Sequence, residues 1–532
     1  MDITERDVHD PLQTKAGRHG RTRFAAACVT LGALCGCGDT GATSVGPPQP
    51  PPPPPPGSGA LAVSAYLSGS DIDQPRDVAV DAQGNTYVTG GSVSTDYPTT
   101  PGVVQPGHDP GPSASSRIKD DHDVIITKLD PSGRLVWSTY LGGPGHDRAY
   151  AIEVDTRGFV YVAGRAGEGL PITPGAAQNF AGGPDVPPYG PTDGFVCKLT
   201  PSGTAIVFCT YLGTSDRRPV RDIAVDDAGN IYAVGGRRNG SFSPAVASAF
   251  TNAPLGGDDD LLAKIRADGS RVLWATYLGG SGTERNSSSV RLDGSGNPYV
   301  LLATTSTDAF TTSSAYQRTP GGGDDLYVAR LDAASGAVVA ATYLGGSRDE
   351  STETHQLAVG PAGDVYVVAV TSSLDFPTTE GAIHTRFGGG GTDTFVSHLS
   401  PDLTALVAST YVGGSGADLA EGVAVGPDGS VYYTGATSSE NFPATADAFQ
   451  RVARGQTDAI ALKLSPDLDR IEYGSLIGGG GVDAGHGATV SSAGDFYMVG
   501  TTDSSDWPTM GAGLGLGAGG RGDGFIAVFR IR

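Results

Sequence analysis

The sequence predicts an all-β fold, a seven-bladed β-propeller whose blades are four-stranded antiparallel sheets. The first observation is a Tyr-Leu-Gly-Gly motif that recurs, with degenerate copies, at intervals of 65 to 74 residues. The second is that each interval holds short apolar runs bounded by Gly, Pro, Asp or Asn, the pattern of β-strands. A fixed period of this length indicates repeated copies of one unit, and four-stranded units around a channel form a propeller. The seven copies begin at Tyr66, Tyr140, Tyr211, Tyr277, Tyr343, Tyr411 and Leu476.

The first interval shows how each predicted blade is built. Two segments rich in Asp, Pro, Asn and Gly separate its first run from its second and its third from its fourth. Because Pro presets φ at the second turn position and Gly accepts a positive φ, both segments are predicted to be hairpin turns. Each interval therefore predicts an antiparallel meander. The four runs are Val78–Val80, Thr86–Val88, Val124–Leu129 and Leu135–Tyr140.

The two ends of the repeat predict how the ring closes. A fourth-strand run at residues 61–67 precedes any first strand, whereas the last interval ends with its third strand, Phe525–Ile531. We therefore expect residues 61–67 to complete the last blade. That arrangement removes an open sheet edge, which would otherwise invite aggregation. The propeller is predicted to span residues 61–532.

Third-strand and fourth-strand positions that are predicted to face each other carry small residues in six blades. In the remaining blade, the larger Leu462 is opposed by Gly474. Close packing accounts for both patterns, because a large side chain fits only against a residue that leaves room for it. The six small pairs are Thr127/Ser138, Cys197/Cys209, Ala263/Ala275, Ala329/Ala341, Ser397/Ser409 and Ala527/Ser64.

One interval carries the whole set of repeated motifs. They are Tyr343–Gly346, Leu357–Val359, Phe376–Thr379 and Asp393–Leu399. This pattern resembles the bacterial seven-bladed β-propeller repeat family called SBBP, and the resemblance covers residues 61–532. It implies the propeller fold. It carries over no activity, cofactor or catalytic residue, so function has to be argued from the residues themselves.

The N-terminal residues predict an export signal and a spacer. Four basic residues between positions 15 and 23 precede an apolar stretch, Phe24–Leu34, that is too short for a stable transmembrane helix. The ending Leu34–Cys37 is similar to a bacterial lipobox, which predicts a lipoprotein-type signal peptide at residues 1–36 and a lipid on Cys37. An ordinary signal peptide and an uncleaved anchor are the alternatives. Residues 37–60 are predicted to form a Pro-rich linker, semi-rigid in its polyproline II conformation.

The charge of the chain bears on its partners and its location. The formal net charge is −22, and such a surface repels phosphate backbones, which argues against nucleic acid as a partner. It suits an extracytoplasmic domain that contacts the membrane only through its lipid, in the periplasm or at the cell surface. We expect a monomer whose partner is a cell-envelope protein or a glycan.

Two of the five cysteines fall inside the predicted propeller. Cys197 and Cys209 occupy one of the pairs of facing small positions, so a disulfide is predicted for an oxidising compartment. Two buried thiols that replace Ala and Ser are the alternative. The chain has no Cys-x-x-Cys motif and no zinc-ligand spacing.

An acidic residue lies seven positions after the start of the repeated motif in six of the seven intervals. Equivalent positions in a propeller form a ring near the channel mouth, where carboxylates could hold a hard cation such as calcium. The favoured interpretation is local hydrogen bonding that fixes each loop, with no cofactor. The six residues are Asp73, Asp147, Glu284, Glu350, Asp418 and Asp483.

A second acidic position precedes the third strand in every interval. Its complete periodicity favours a structural cap on each blade. The seven residues are Asp123, Asp193, Asp259, Asp325, Asp393, Asp458 and Asp523.

The third blade differs from the others in its arginines. Five arginines flank its first and second strands, in loops predicted to lie on one face. Such a group could bind a carboxylate or phosphate through the planar guanidinium fork, and charge pairing with neighbouring acidic loops is the alternative. The five are Arg217, Arg218, Arg221, Arg237 and Arg238.

The sequence favours binding over catalysis. It contains no His-Glu-x-x-His, Gly-x-Ser-x-Gly, phosphate-loop or Rossmann glycine motif. The favoured function is an extracytoplasmic binding or scaffolding propeller whose partner docks on the face that carries the longer loops. The alternatives are a polysaccharide hydrolase or lyase that uses carboxylates in the funnel, and a purely structural envelope protein.

Overall fold

A computed structural model describes residues 60–109, 122–183, 185–186, 190–213, 219–238, 255–285, 287–511 and 522–531. All of them belong to one compact unit, Pro53–Arg532. The described residues form seven sheets, each built around four antiparallel strands, and they confirm the seven-bladed propeller. The predicted signal peptide, Cys37 and the linker as far as residue 59 lie outside the described residues.

The strands follow the predicted order along the chain. Strand β1 (Ala60–Leu67) precedes blade 1, and the other strands follow it blade by blade. Blade 1 contains β2 (Asp73–Val80), β3 (Thr86–Ser92), β4 (Asp123–Leu129) and β5 (Leu135–Leu141); blade 2 contains β6 (Arg148–Val154), β7 (Val160–Gly167), the two-residue β8 (Asp185–Val186), β9 (Gly190–Leu199) and β10 (Ile206–Tyr211); blade 3 contains β11 (Asp222–Val225), β12 (Ile231–Arg238), β13 (Asp258–Ile265) and β14 (Val272–Leu278); blade 4 contains β15 (Ser289–Leu292), β16 (Pro298–Thr304), β17 (Asp325–Leu331) and β18 (Val338–Leu344).

The remaining three blades differ in their first and last strands. Blade 5 has a first strand that is split into two pieces, and blade 7 takes its fourth strand from the start of the domain. Blade 5 contains β19 (Glu350–Ser351), β20 (Leu357–Val359), β21 (Val365–Thr371), β22 (Asp393–Leu399) and β23 (Leu406–Val412); blade 6 contains β24 (Asp418–Val425), β25 (Val431–Thr437), β26 (Asp458–Leu464) and β27 (Ile471–Ile477); blade 7 contains β28 (Asp483–Val490), β29 (Asp495–Thr502), β30 (Asp523–Arg530) and β1.

Ring closure occurs where the sequence predicted it. Strand β1 pairs antiparallel with β30, and Ser64 lies opposite Ala527. The last blade therefore gains its outer strand from the N-terminal end of the domain.

The registers of the third and fourth strands confirm all seven predicted pairs. Ser397 lies opposite Ser409, and Leu462 lies opposite Gly474. The other five are Thr127/Ser138, Cys197/Cys209, Ala263/Ala275, Ala329/Ala341 and Ala527/Ser64.

The core lies between neighbouring blades. Successive side chains of a strand point to opposite faces of its sheet, so one strand contributes to two interfaces. In β7, Val160 and Val162 join a cluster shared with blade 1, whereas Tyr161 and Ala163 join a cluster shared with blade 3. This arrangement explains why the second and third strands are buried along almost their whole length, since neighbouring blades cover both faces.

The loop between the second and third strands returns along the outer edge of its own blade. The amide of Thr379 donates to the carbonyl of Ser409 at 3.1 Å, and the amide of Tyr411 donates to the carbonyl of His384 at 3.1 Å. The hydroxyl of Tyr411 donates to the carbonyl of Ser373 at 2.8 Å. The repeated Tyr thus anchors the loop, and the loop covers an edge that would otherwise be open. Blades 1, 2 and 4 show the same backbone contacts.

The first strands of neighbouring blades contact each other around the central channel. The loops that connect the fourth strand to the next first strand and the second strand to the third therefore lie on one face, which we call the long-loop face. The tight hairpin turns lie on the other face. No helix within the described ranges has the length and the apolar character needed to cross a membrane.

Candidate functional site

The six repeated acids are buried and hydrogen-bonded within their own blades. In blade 6, Oδ2 of Asp418 accepts from the amide of Gly414 at 2.7 Å and from the hydroxyl of Ser439 at 2.9 Å, and Oδ1 accepts from Thr437 at 2.5 Å. Asp73 has the same three kinds of donor in Gly69, Ser92 and Ser94. These two acids therefore tie the turn that enters the blade to the end of the second strand, and Glu284 accepts from the hydroxyls of Thr304 and Ser306 at the same strand end.

Burial shifts the protonation of these acids. It raises the pKa of Asp73 and of Asp483 to about 6, and the pKa of Glu350 to about 7. Within the described ranges, no three His, Cys, Asp or Glu side chains are grouped as a metal site requires. Calcium binding at this ring stays a prediction, while the hydrogen bonds give each acid a local structural role.

The acids that precede the third strands cap the incoming loops. Asp259 accepts from the amide of Leu255 at 2.7 Å, Asp458 accepts from that of Arg454 at 2.8 Å, and Asp325 accepts from that of Gly321 at 3.1 Å. Because the carboxylate satisfies loop amides that would otherwise be buried without partners, the residue recurs in each blade.

The five predicted anion-binding arginines are only partly described. Arg217 and Arg218 lie outside the described residues. Arg237 and Arg238 end β12, where they lie opposite Asp259 and Asp258 of β13. Arg221 precedes β11, and its guanidinium lies 4.7 Å from the ring centre of Tyr150 in the neighbouring blade. The structure thus places Arg221 in a group that the sequence analysis did not anticipate.

Four arginines from three blades surround Tyr150, and we call this group the arginine pocket. Arg148 and Tyr150 lie on β6, Arg76 lies on β2, and Arg221 leads into β11. Arg165 lies on β7, directly opposite Arg148 in the strand pairing. The guanidinium of Arg148 lies 5.4 Å from the ring centre of Tyr150, which is only 6% exposed.

The arginines of the pocket shift the pKa values of Arg148 and Tyr150. Burial and the neighbouring Arg76 lower the pKa of Arg148 to about 9. Burial works against ionisation of Tyr150, but Arg165, Arg148 and the other two guanidinium groups lower its pKa to about 7. Both shifts have the direction expected for a cluster of like charges in a poorly hydrated place.

Two histidines extend one wall of the arginine pocket. The rings of His122 and His146 lie 4.8 Å apart, and Nη2 of Arg165 lies 2.9 Å from Nε2 of His146. A side chain at position 91 would meet Arg148 at 3.0 Å and His122 at 3.1 Å, so Gly91 of β3 leaves the room that these side chains use.

An acidic group faces the arginines from blades 6 and 7. Oε2 of Glu421 lies 4.0 Å from Nη1 of Arg76 and 2.6 Å from Nδ1 of His486. Nε2 of His486 lies 3.0 Å from the hydroxyl of Thr501. The mouth of the channel is therefore basic on the side of blades 1 to 3, with a carboxylate opposite.

The channel is crossed by an irregular segment of blade 5. Residues Thr352–Gln356, between β19 and β20, contact five other blades. Thr352 donates to the carbonyl of Ser287 in blade 4 at 2.6 Å, and the carbonyl of His355 accepts from Val423 of blade 6 at 2.9 Å. Nε2 of His355 lies 2.7 Å from the carbonyl of Tyr150, so this segment adjoins the arginine pocket. We call it the channel plug.

Charged side chains hold the channel plug in place. His355 lies 3.3 Å from Asp222 and 3.8 Å from Asp77, and Arg291 lies 2.6 Å from Asp222. Burial opposes the charge on the imidazole, but these two carboxylates raise the pKa of His355 to about 9. His355 also has a φ of 66°, which is uncommon for a residue with a Cβ and which the surrounding contacts enforce.

The opposite end of the channel has a different lining. A cavity of about 400 Å³ is bounded there by the first-to-second-strand turns of blades 4 to 7. The carboxylate of Asp293 in this lining bonds to Asn297 and Arg330. This end is built mainly from backbone and small side chains.

Five blades each expose one large apolar side chain on the loop between the second and third strands. These loops belong to the long-loop face, and we call the five residues the loop apolar set. They are Phe180, Leu255, Phe310, Leu374 and Val452, with exposed fractions of 58%, 44%, 48%, 59% and 71%.

Sequence reasoning missed the arginine pocket and the channel plug. A signal for the pocket exists in the residue three positions after the repeated acid, which differs from blade to blade and includes Arg76, Tyr150, Glu421 and His486. A signal for the plug is that the stretch from Glu350 to Val359 is two residues longer than its counterpart in blade 6. Both signals are positions where one blade differs from the others in residue type or in length.

The two propeller cysteines lie side by side. Cys197 and Cys209 are direct partners in the pairing of β9 and β10, with Cα atoms 4.0 Å apart and the sulfur atoms at bonding distance. The disulfide stays a prediction for the protein in solution, and peptide mass spectrometry without reducing agent would check it.

Comparisons with known proteins agree with this architecture. A family model described as a beta-propeller repeat, SBBP, matches residues 64–98 and 136–171. The chain is 26% identical over 314 residues to the Regulatory protein FlaEY of Caulobacter vibrioides. That match covers 56% of this chain and 31% of the relative, so the chain spans less than a third of that protein's length.

Similar solved structures share little sequence with this chain. A quinohemoprotein alcohol dehydrogenase from Comamonas testosteroni and a protein of unknown function from Dyadobacter fermentans each have 10% identity and a TM-score of 0.40. Each match covers 89% of this chain, with 77% of the first protein and 99% of the second. BamB from Moraxella catarrhalis has 10% identity and a TM-score of 0.34, over 89% of this chain and 99% of that one. None of these likenesses carries an inference about function.

Proposed function

We propose that this seven-bladed propeller of SBBP repeats is an extracytoplasmic binding and scaffolding module that docks a cell-envelope protein on its long-loop face. The loop apolar set carries the proposal. Phe310 is 48% exposed and Leu374 is 59% exposed, on loops whose backbones are fixed to the outer strands. Loops held on a rigid scaffold are where binding residues are usually found, and these five loops present apolar side chains to solvent on one face of the propeller.

The proposed location rests on the N-terminal sequence. A basic segment, the short apolar stretch Phe24–Leu34 and the lipobox-like ending at Cys37 support export and lipid attachment. Metabolic labelling with a radioactive fatty acid tests this. We expect Cys37→Ser to remove the label and Cys35→Ser to retain it. A label that survives in Cys37→Ser would contradict lipid attachment at that residue.

The docking proposal is tested with two matched triple variants. The first changes three members of the loop apolar set, Phe310→Ser, Leu374→Ser and Val452→Ser. The second changes Val136→Ser, Val339→Ser and Val407→Ser, which are 48%, 50% and 52% exposed near the turns of the opposite face. Both variants remove three exposed apolar side chains, from different faces, so a common effect on solubility would appear in both.

The readout is cross-linking to envelope proteins of the source organism, followed by identification of the captured chain. We expect wild type and the second variant to capture the same envelope protein and the first variant to lose it. Equal capture by all three proteins would show that the loop apolar set is not the docking surface. Failure of wild type to capture any envelope protein would favour a purely structural role.

Two carboxylates of the channel, Asp222 and Glu421, are engaged by cationic or imidazole side chains, which argues against their use in polysaccharide cleavage. Asp222 bonds Arg291 and His355, and Glu421 bonds His486. A glycosidase needs two carboxyl groups that are free to flank a sugar.

A further inference from the structure

We propose that the arginine pocket is a binding site for a small ligand that carries a compact oxyanion, a phosphate or a carboxylate group. The site lies in the channel mouth, apart from the loop apolar set, so this inference stands independently of the docking proposal. It rests on the position, burial and bonding of Arg76, Arg148, Arg165 and Arg221 around Tyr150.

The first argument is unsatisfied hydrogen bonding. Within the described ranges, Nε of Arg76, Nε and Nη2 of Arg148, and Nε of Arg221 are buried without a hydrogen-bond partner. Buried polar groups in native proteins are satisfied almost without exception, and a charged donor is the most costly one to leave unsatisfied. Three side chains from three blades with this property in one place indicate donors arranged for an acceptor.

The second argument is charge balance. Four guanidinium groups converge here, and Glu421 lies 4.0 Å from Arg76 but only 2.6 Å from His486. The phenol of Tyr150 is shifted towards ionisation by the arginines, with its pKa lowered to about 7, as expected where anionic charge is stabilised. An anion would relieve the repulsion among the four cations.

The third argument is that neighbouring residues hold the arginine side chains in fixed positions. Gly91 leaves space for Arg148 and His122, and the Tyr150 ring contacts the guanidinium groups of both Arg148 and Arg221. The channel plug bonds to the Tyr150 carbonyl. The arginines thus lie against packed structure instead of extending freely into solvent. Fixed guanidinium planes suit the paired oxygens of phosphate and carboxylate groups.

A control exists at the equivalent position of another blade. Arg148 follows the repeated acid Asp147, and Arg285 follows the repeated acid Glu284. Arg285 donates to Asp324 through Nε at 2.7 Å and through Nη2 at 2.9 Å. Its charge is therefore neutralised, and it should not contribute to anion binding.

The test is isothermal titration calorimetry with inorganic phosphate, sulfate and citrate at low ionic strength. Wild type, Arg148→Gln, Arg221→Gln and Arg285→Gln are compared. We expect wild type and Arg285→Gln to bind at least one probe with equal affinity. Arg148→Gln and Arg221→Gln should each weaken binding roughly tenfold or more, the loss expected for a charge-assisted hydrogen bond. Circular dichroism shows whether each variant is folded, and if one is not, the other decides.

The three probes distinguish the two sources of the oxyanion. Tighter binding of phosphate and sulfate than of citrate assigns a tetrahedral phosphate-type group, and the reverse order assigns a carboxylate ligand. Both orders support the proposal. It is overturned if wild type binds none of the probes, or if the folded Arg148→Gln and Arg221→Gln variants bind as well as wild type.

Discussion

Arg148 and Arg285 occupy the same position of the repeat in blades 2 and 4, yet their surroundings are opposite. Arg285 is half-exposed and makes a two-pronged bond to Asp324. Arg148 lies among Arg76, Arg165 and Arg221, and two of its nitrogens are buried without a partner within the described ranges. The repeat places both residues at the channel mouth, whereas the neighbouring blades decide whether the charge is neutralised.

Buried charges in this molecule are of two kinds: those that are hydrogen-bonded or paired, and those that lie beside charges of the same sign. Repeated acids such as Asp418 are bonded within their own blade, and the carboxylates around the channel plug are bonded across blades. In the arginine pocket, by contrast, four like charges lie close together, and each guanidinium lowers the pKa of Tyr150. Residues that cost stability where they lie are typical of functional sites, since the fold compensates for them elsewhere.

The largest expected effect concerns the paired charges of the channel plug. Asp222→Asn should lower the free energy of unfolding by about 3–5 kcal/mol, because it removes the carboxylate that Arg291 contacts at 2.6 Å and leaves His355 with Asp77 alone, at 3.8 Å. Urea denaturation measures the change. The exposed Asp96→Asn serves as the control and should change stability little. A loss as small as that of the control would mean that the plug charges are solvated.

The next effect concerns the repeated acids and depends on pH. Burial raises the pKa of Glu350 from 4.5 to about 7, so the folded state binds this proton more tightly than the unfolded state. The contribution of Glu350 to stability is therefore full below about pH 4.5, is lost between about pH 4.5 and 7, and stays lost above.

Glu350→Gln isolates this contribution. Relative to wild type, the variant should gain on the order of 3 kcal/mol in unfolding free energy as the pH rises through that window. Denaturation of both proteins at several pH values gives the difference, in which the other titrating groups cancel. A difference that does not change with pH would show that folding does not raise the pKa of Glu350.

The smallest expected effect is the change in unfolding free energy when Arg148 or Arg285 is replaced, and it compares the two arginines directly. In buffer without phosphate, sulfate or citrate, Arg148→Gln should raise the free energy of unfolding by about 1 kcal/mol, because it removes one of four repelling cations. Arg285→Gln should lower it by less than about 1 kcal/mol, the value of an exposed ion pair. Urea denaturation of the two variants side by side checks the signs. A loss of stability in Arg148→Gln would indicate that Arg148 is neutralised in solution.

Most of the fold could be predicted from the sequence because every repeat carries the same pattern of strands and turns. The closure by residues 61–67 and the seven facing pairs, such as Leu462 with Gly474, follow from counting strands and from matching side-chain size. The small side chains predict register because a one-residue slip would place every side chain on the wrong face.

The arginine pocket could not be predicted in the same way. Arg76, Arg148 and Arg221 are far apart in the sequence and meet only because the ring brings three blades to one channel mouth. From the sequence, Arg221 is predicted to group with the arginines of its own blade. His355 was missed because the plug is an irregular insertion, and irregular segments carry no periodic signal.

The most direct test of the account is to locate an oxyanion in crystals of the protein. Crystals of wild type and of Arg148→Gln, grown without phosphate or sulfate, would be soaked in arsenate, whose arsenic atom is found by its anomalous scattering. The account predicts a peak within hydrogen-bonding distance of Arg148 and Arg221 in wild type and no peak there in the variant. Arsenate bound only outside the arginine pocket, or equally in both crystals, would contradict it.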